Sequence, residues 1–148
     1  MGSHYQIPEL LEMGKAILGL DLGIVSRIRG DEYTVVACSR NNFNIRPGDI
    51  FELRDTYCRD VIRRQKTTHY PDVAQIVELL QHPCYLNTQL RAYIGTPILI
   101  EDEIWGTLNY SSLTARKTDY TEKEIDLLEQ QAIIIADKLM SQFSENMA

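Results

Sequence analysis

Two apolar runs, Tyr93 to Ile100 and Ile104 to Ser112, flank the acidic triplet Glu101-Asp102-Glu103. Ile94, Ile98, Leu99, Ile100, Ile104, Leu108 and Tyr110 favour a pleated, half-buried surface, and an acidic break of this length suits a hairpin loop. The stretch Leu90 to Ser112 therefore commits the chain to an antiparallel sheet with this hairpin at its centre. Pro97 falls inside the first run and has no amide to donate, which predicts a bulge or an unpaired position there.

Around the hairpin the periodicity changes from two to 3.6. Leu10, Leu11, Met13, Ile17, Leu18 and Leu20 recur at helical spacing after Pro8, a residue suited to a first helical turn. Leu22 to Ile28 and Tyr33 to Ser39 read as a first hairpin about Gly30-Asp31, and Ile50 to Leu53 as a short third strand after the Pro47-Gly48-Asp49 turn. A helix capped by Asp55 or Thr56 is expected to carry Tyr57, Cys58, Val61 and Ile62 toward the core, until His69-Tyr70-Pro71-Asp72 interrupts it. Val73 to Leu80 again has helical spacing, broken at His82-Pro83. Thr121 and Glu124 form a capping-box pattern at the start of a long closing helix that is expected to reach Phe143. The predicted class is α+β: a central antiparallel sheet with the terminal helices on one face and a helical crossover on the other. One domain is expected over 8–143, with 1–7 as a tag or disordered leader and 144–148 as a tail.

Composition narrows the function. A formal net charge of −6 argues against a nucleic-acid footprint, and the basic cluster of Arg59, Arg63, Arg64 and Lys66 reads as the wet face of a helix. No apolar run approaches the ~18 residues that cross a bilayer, and no signal peptide is evident, so a cytoplasmic protein is expected. Cys38, Cys58 and Cys84, odd in number and widely spaced, fit free thiols in a reducing compartment.

The order Leu22-Gly23-Ile24-Val25-Ser26-Arg27-Ile28, Pro47-Gly48, Asp55-Thr56-Tyr57-Cys58, His82-Pro83, Ala92-Tyr93-Ile94-Gly95-Thr96-Pro97 and Trp105-Gly106-Thr107-Leu108-Asn109 resembles the GAF domains of bacterial signalling proteins. The resemblance runs from about Pro8 to Leu139. It implies a sensory or dimerising module, attached to or partnered with an effector domain, that holds a small ligand between the sheet and the segment Asp55 to Tyr93. The aromatic and polar residues of that region make Tyr57, Cys58, Tyr70, Asp72, Tyr85, Tyr93 and Asn109 the expected ligand-binding residues.

Other chemistries of the family are weighed against the same residues. Bilin-binding members attach chromophore through a cysteine followed by histidine. Here Tyr85 follows Cys84, and the usual attachment position falls around Leu80, so no bilin cofactor is expected. The signature of cyclic-nucleotide-binding members cannot be laid on the chain. Some stand-alone members reduce free methionine sulfoxide with cysteines. Cys58, in the first turn of its helix where the dipole lowers a thiol pKa, keeps that alternative open beside Cys84, although neither cysteine's neighbours resemble the reductase motifs. His69, Asp72, His82 and Cys84 are of metal-ligand type but lack paired ligand spacing, so no metal is expected. In the closing helix Leu128, Ala132, Ile135 and Leu139 step by three and four, as in a coiled-coil seam, and Leu127, Ile134 and Met140 offer a second apolar face. The first set is expected to line the interface of a homodimer, in which case Ile135→Asp would weaken pairing more than folding.

Overall fold

The computed structural model describes residues 4–147. Met1 to Ser3 of the expected leader and Ala148 of the expected tail lie outside them. Strands β1 (Leu22–Arg29), β2 (Glu32–Cys38), β3 (Ile50–Glu52), β4 (Thr68–Tyr70), β5 (Ala92–Ile100) and β6 (Glu103–Ser112) form one sheet in the order β3-β2-β1-β6-β5-β4. All its pairings are antiparallel. Helices α1 (Ile7–Leu18) and α4 (Glu122–Met147) pack on one face, and α2 (Cys58–Arg64), α3 (Pro83–Thr88) and three short 3-10 turns pack on the other. The α+β layering expected from the sequence is the one observed.

Strand alternation divides the core in two. Ala92, Ile94 and Ile98 of β5 and Leu108 and Tyr110 of β6 face α1 and α4, whereas Tyr93 faces the crossover. In β2 the partners step from Ala37 to Val35 while β1 steps from Val25 to Ser26, leaving Val36 as an extra residue. This bulge reverses the pleat, so Tyr33 and Val35 point into the crossover core and Ala37 into the helical one.

The central hairpin closes more tightly than expected. Ile100 pairs with Glu103, so the loop is Glu101 and Asp102 alone, with φ of 54° and 65°, as a type I′ turn requires. The irregularity anticipated at Pro97 lies between Ile98 and Leu99. β4 pairs with β5 only from Tyr93 to Gly95, so its ladder ends before the proline.

Three other expectations change. His69 and Tyr70 do not merely interrupt a helix: with Thr68 they form the edge strand β4. Val73 to Leu80 forms 3-10 turns at Val73–Gln75 and Val77–Leu79, closed by bonds from the Ile76 amide to the Val73 carbonyl and from the Leu80 amide to the Val77 carbonyl, with Asp72 capping the first turn. Helix α2 begins at Cys58, since Thr56 turns its hydroxyl back to the Leu53 carbonyl instead of capping. Helical structure also reaches beyond the expected 8–143. Ile7 is a buried residue of α1, and α4 continues through 144–147.

Two capping arrangements hold the terminal helices. Thr121 and Glu124 exchange bonds with each other's backbone amides at 2.9 and 3.1 Å, the reciprocal pattern read from the sequence. Arg116 grips Glu124 with two bonds of 2.9 and 2.7 Å and donates to the Leu18 carbonyl, tying the start of α4 to the end of α1. The dimer assignment of α4 is corrected by this packing. Leu128, Ala132, Ile135 and Leu139 are buried inside a single chain against the sheet and α1. One stripe of a 3.6-residue helix can face only one neighbour, and here that neighbour is the chain's own core. Leu127, Ile133 and Met140 are left exposed, and Ile134 is partly covered.

Candidate functional site

Between the sheet and the crossover lies a cavity of about 300 Å³. Leu22 and Ile24 of β1, Tyr33 of β2 and Asn109 and Ser111 of β6 form its sheet wall. Tyr93 of β5 also belongs to that wall, and Tyr57 and Cys58 at the start of α2, Cys84 of α3 and Leu90 close the opposite side. Ile45, Phe51, Asp55, Thr56, Asn87 and Thr88 make the rim, where Phe51, Asn87 and Thr88 are solvent-exposed.

The pairing of β1 with β6 produces the polar part of this wall. Ser26 pairs with Thr107, and their hydroxyls meet at 2.6 Å. Thr107 donates to Cys58 Sγ at 3.2 Å, and that sulfur lies 3.1 Å from the Tyr93 hydroxyl. Asn109 Nδ2 donates to the Tyr33 hydroxyl at 3.3 Å. Tyr57 donates to the Leu90 carbonyl at 2.6 Å, anchoring the start of α2 to the chain entering β5. Buried hydroxyls so partnered cost little to enclose and hold their rings in one position.

The wall is uncharged. Burial raises the Tyr33 and Tyr93 hydroxyls well above their ordinary value, and it lifts both the Cys58 and Cys84 thiols to about 11. This burial works against the alternative of an activated Cys58. Desolvation outweighs the dipole of a seven-residue helix, and the thiol stays protonated at neutral pH. The described cysteines are all free.

His82 supports the site from behind. It is buried, its ring centroid is 5.0 Å from that of Tyr57, and its Nδ1 accepts the Cys84 amide at 3.0 Å, capping α3. Burial pushes its pKa down, which keeps it a neutral acceptor. Among the described residues no group of three or more His, Cys, Asp and Glu is gathered as a metal site. His69, for its part, pairs with Asp119 at 2.8 Å.

Of the seven expected ligand-binding residues, Tyr57, Cys58, Tyr93 and Asn109 are brought together at the cavity. Tyr70 lies behind them. Its ring contacts Tyr57 and Tyr93, and its hydroxyl donates to buried Asp60 at 2.6 Å. Asp72 is engaged by two bonds from Arg91, at 2.9 and 2.7 Å, which lead the causes holding its carboxyl below the usual range. Tyr85 follows Cys84 by about 100° around α3 and packs partly buried against the crossover core. Tyr33, Ser111, Leu22 and Ile24 were not anticipated. Period-two alternation carries the signal for Ser111, which shares a strand face with Asn109.

Residues 7–139 match the family model described as GAF domain. Among curated proteins no sequence match is found. The GAF domain of an Acinetobacter phosphoenolpyruvate-protein phosphotransferase superposes with a TM-score of 0.74 at 10% identity, covering 96% of this chain and 84% of that one. The chromophore-binding domain of an unusual bacteriophytochrome from R. palustris gives 0.72 at 16%, and there the match spans 95% of this chain but only 57% of that one. The blue-light absorbing form of the PixJ GAF domain from Thermosynechococcus elongatus gives 0.66 at 21%, covering 95% and 88%. Likeness at these identities establishes the fold. No helix among the described residues is long and apolar enough to cross a membrane.

Proposed function

The chain belongs to the GAF domain family, and on that premise we propose that it is a sensory module of a cytoplasmic signalling protein, binding a small molecule in the cavity between sheet and crossover. The observation that carries this reading is the space itself: about 300 Å³, walled by aromatic and aliphatic side chains with a few fixed polar groups. That is the chemistry of a small-molecule pocket, at the lower end of the usual size. Occupancy biases the position of the crossover relative to the terminal helices if the ligand prefers one arrangement, and those helices pass the bias to an attached or partner effector.

The bacteriophytochrome neighbour is described as a chromophore-binding domain. A linear tetrapyrrole, with four rings and two carboxylates, does not fit the residues present here. The cavity is small, no Arg, Lys or His among the described residues lines it, and the Cys84 thiol is raised to about 11. The same raised thiols argue against a reductase of methionine sulfoxide, so the reading is a regulatory role without catalysis.

Native mass spectrometry of protein purified from its own host tests the proposal. A retained small molecule that is lost in Ser111→Trp, a variant that fills the cavity, supports it. A mass equal to the polypeptide alone, together with no stabilisation of the wild type by a metabolite library, overturns it.

A second reading, pairing of two copies through the terminal helices, is favoured by apolar residues that α1 and α4 leave in solvent. Ile17 and Ile133 are each 57% exposed, and Met13 and Met140 are exposed beside them. The two readings are compatible, since a paired helix is a natural output for a pocket.

A further inference from the structure

Two side chains in the cavity wall turn polar atoms toward the space with no protein partner among the described residues. Asn109, 4% exposed, commits its amide nitrogen to Tyr33 and, more distantly, to Thr107, while its Oδ1 has no donor among the described residues. Ser111, 3% exposed, has no hydrogen-bond partner for its hydroxyl among the described residues. Both line the cavity, both belong to β6, and two residues of strand put them about 7 Å apart on one face. Neither atom is among the solvent-excluded ones that lack a partner, so both are reachable from the cavity, where they offer an entering molecule an acceptor and a hydroxyl.

The rest of the wall restricts what that complement is. Apart from Asp55 at the rim, no Asp, Glu, Lys, Arg or His among the described residues lines the cavity, and its tyrosines and cysteines hold their protons at neutral pH. A phosphate or carboxylate entering there loses its hydration and gains no counter-charge. An ammonium group meets only the rim carboxylate.

Resting on the small-molecule reading of the cavity, we propose that its ligand class is an uncharged, largely apolar ring compound bearing a hydroxyl or N–H donor. The donor bonds Asn109 Oδ1, Ser111 supplies the second polar contact, and Tyr57, Tyr93, Leu22 and Ile24 enclose the rings. Anionic metabolites, nucleotides included, are rejected by desolvation.

Three probes on one skeleton test this with the whole chain: 2-naphthol, naphthalene and 2-naphthoate, titrated by NMR on the methyl groups of Leu22, Ile24 and Leu90. The expected result is saturable binding of 2-naphthol, weaker binding of naphthalene and none of 2-naphthoate. Asn109→Leu should weaken 2-naphthol about tenfold and leave naphthalene unchanged. Ser111→Ala gives the same comparison should Asn109→Leu fail to fold. Binding of 2-naphthoate at least as tight as that of 2-naphthol overturns the ligand class, as does equal binding of all three with no effect of either variant. If none of the three binds, the class also falls. Xenon under pressure then decides about the cavity: shifts at Leu22 and Ile24 preserve the small-molecule reading, and their absence removes it too.

Discussion

The hydroxyl of Tyr110 on β6 donates to the side-chain oxygen of Gln131 on α4. Gln131 in turn donates from Nε2 to the Leu10 carbonyl of α1 at 2.7 Å. Tyr110 sits between Asn109 and Ser111, so the strand that presents polar groups to the cavity also fastens both terminal helices from its other face. Space for the ring is provided by Gly14 of α1 and Gly23 of β1, where a β-carbon would overlap Tyr110. The sheet is thus a single layer between the cavity and the terminal helices, and the bond from Tyr110 to Gln131 is a direct link across it.

That link is testable as a cycle. Gln131→Leu strands the Tyr110 hydroxyl in a mostly apolar site and should cost about 1–3 kcal/mol in urea unfolding. Tyr110→Phe removes the donor instead and should cost about 1 kcal/mol. The double variant should be more stable than the sum of the single losses predicts, by about 0.5 kcal/mol or more. Strict additivity would mean that the two side chains do not interact in solution.

The central turn carries residues that its geometry disfavours. Glu101 and Asp102 both adopt positive φ, where side chains with a β-carbon pay a steric penalty and Asn-Gly is the preferred pair. Replacing them by Asn and Gly should stabilise the fold by about 1 kcal/mol, and the melting temperature should rise by roughly 2–4 °C. The turn is remote from the cavity wall, so binding should not change. A lowered melting temperature would show that the turn is not type I′.

The cavity thiols set a pH limit. Cys58 and Cys84 shift from an ordinary value of 9.0 to about 11 in the folded chain, chiefly through burial. Because the folded form holds these protons more tightly than the unfolded one, their contribution to stability is fully present below about pH 9 and is lost as pH rises toward 11. Chemical denaturation should therefore show stability declining between those values, less steeply in Cys58→Ser and Cys84→Ser. At pH 7.5 native protein should leave both thiols unmodified by iodoacetamide until it is unfolded, and it should not turn over free methionine sulfoxide with a dithiol reductant. Rapid native labelling of Cys58 would contradict the burial argument.

How far the sequence carried this picture depends on whether a signal was local. The central hairpin, the Thr121 and Glu124 cap and the two-faced layering are written in alternation, turn chemistry and helical spacing, and all are present. The edge strand β4 was hidden because three residues show no periodicity, and only pairing with Tyr93 to Gly95 makes them a strand. The site was half legible for a related reason. Tyr57, Cys58, Tyr93 and Asn109 stand where aromatic and polar types suggested, but Tyr70 and Asp72 have closer partners in Asp60 and Arg91 that no spacing rule reveals. Tyr33 enters from β2 only because the Val36 bulge sets its face. The α4 stripe was read correctly as apolar and assigned to the wrong neighbour, since periodicity identifies a buried face without saying what buries it.

Two isoleucines of α4 face opposite environments. Ile135 is 0% exposed in the core formed with the sheet and α1, whereas Ile133, two residues away, is 57% exposed. Ile135→Asp places a charge among Leu11, Ile94 and Leu108, members of the same core, and no Lys or Arg is buried among the described residues to offset it. It should cost at least about 4 kcal/mol, a large part of the roughly 5–15 kcal/mol that a domain has. The melting temperature should therefore collapse whatever the oligomeric state. Ile133→Asp should leave the melt of dilute protein within about 0.5 kcal/mol of wild type, as an exposed position does. If two copies pair through the terminal helices, Ile133→Asp combined with Ile17→Asp should halve the mass seen by light scattering while the far-ultraviolet spectrum is unchanged. A wild type already at the monomer mass across the concentration range would dismiss pairing, and the contrast between the two aspartates in thermal unfolding would still stand as the test of which face of α4 the core uses.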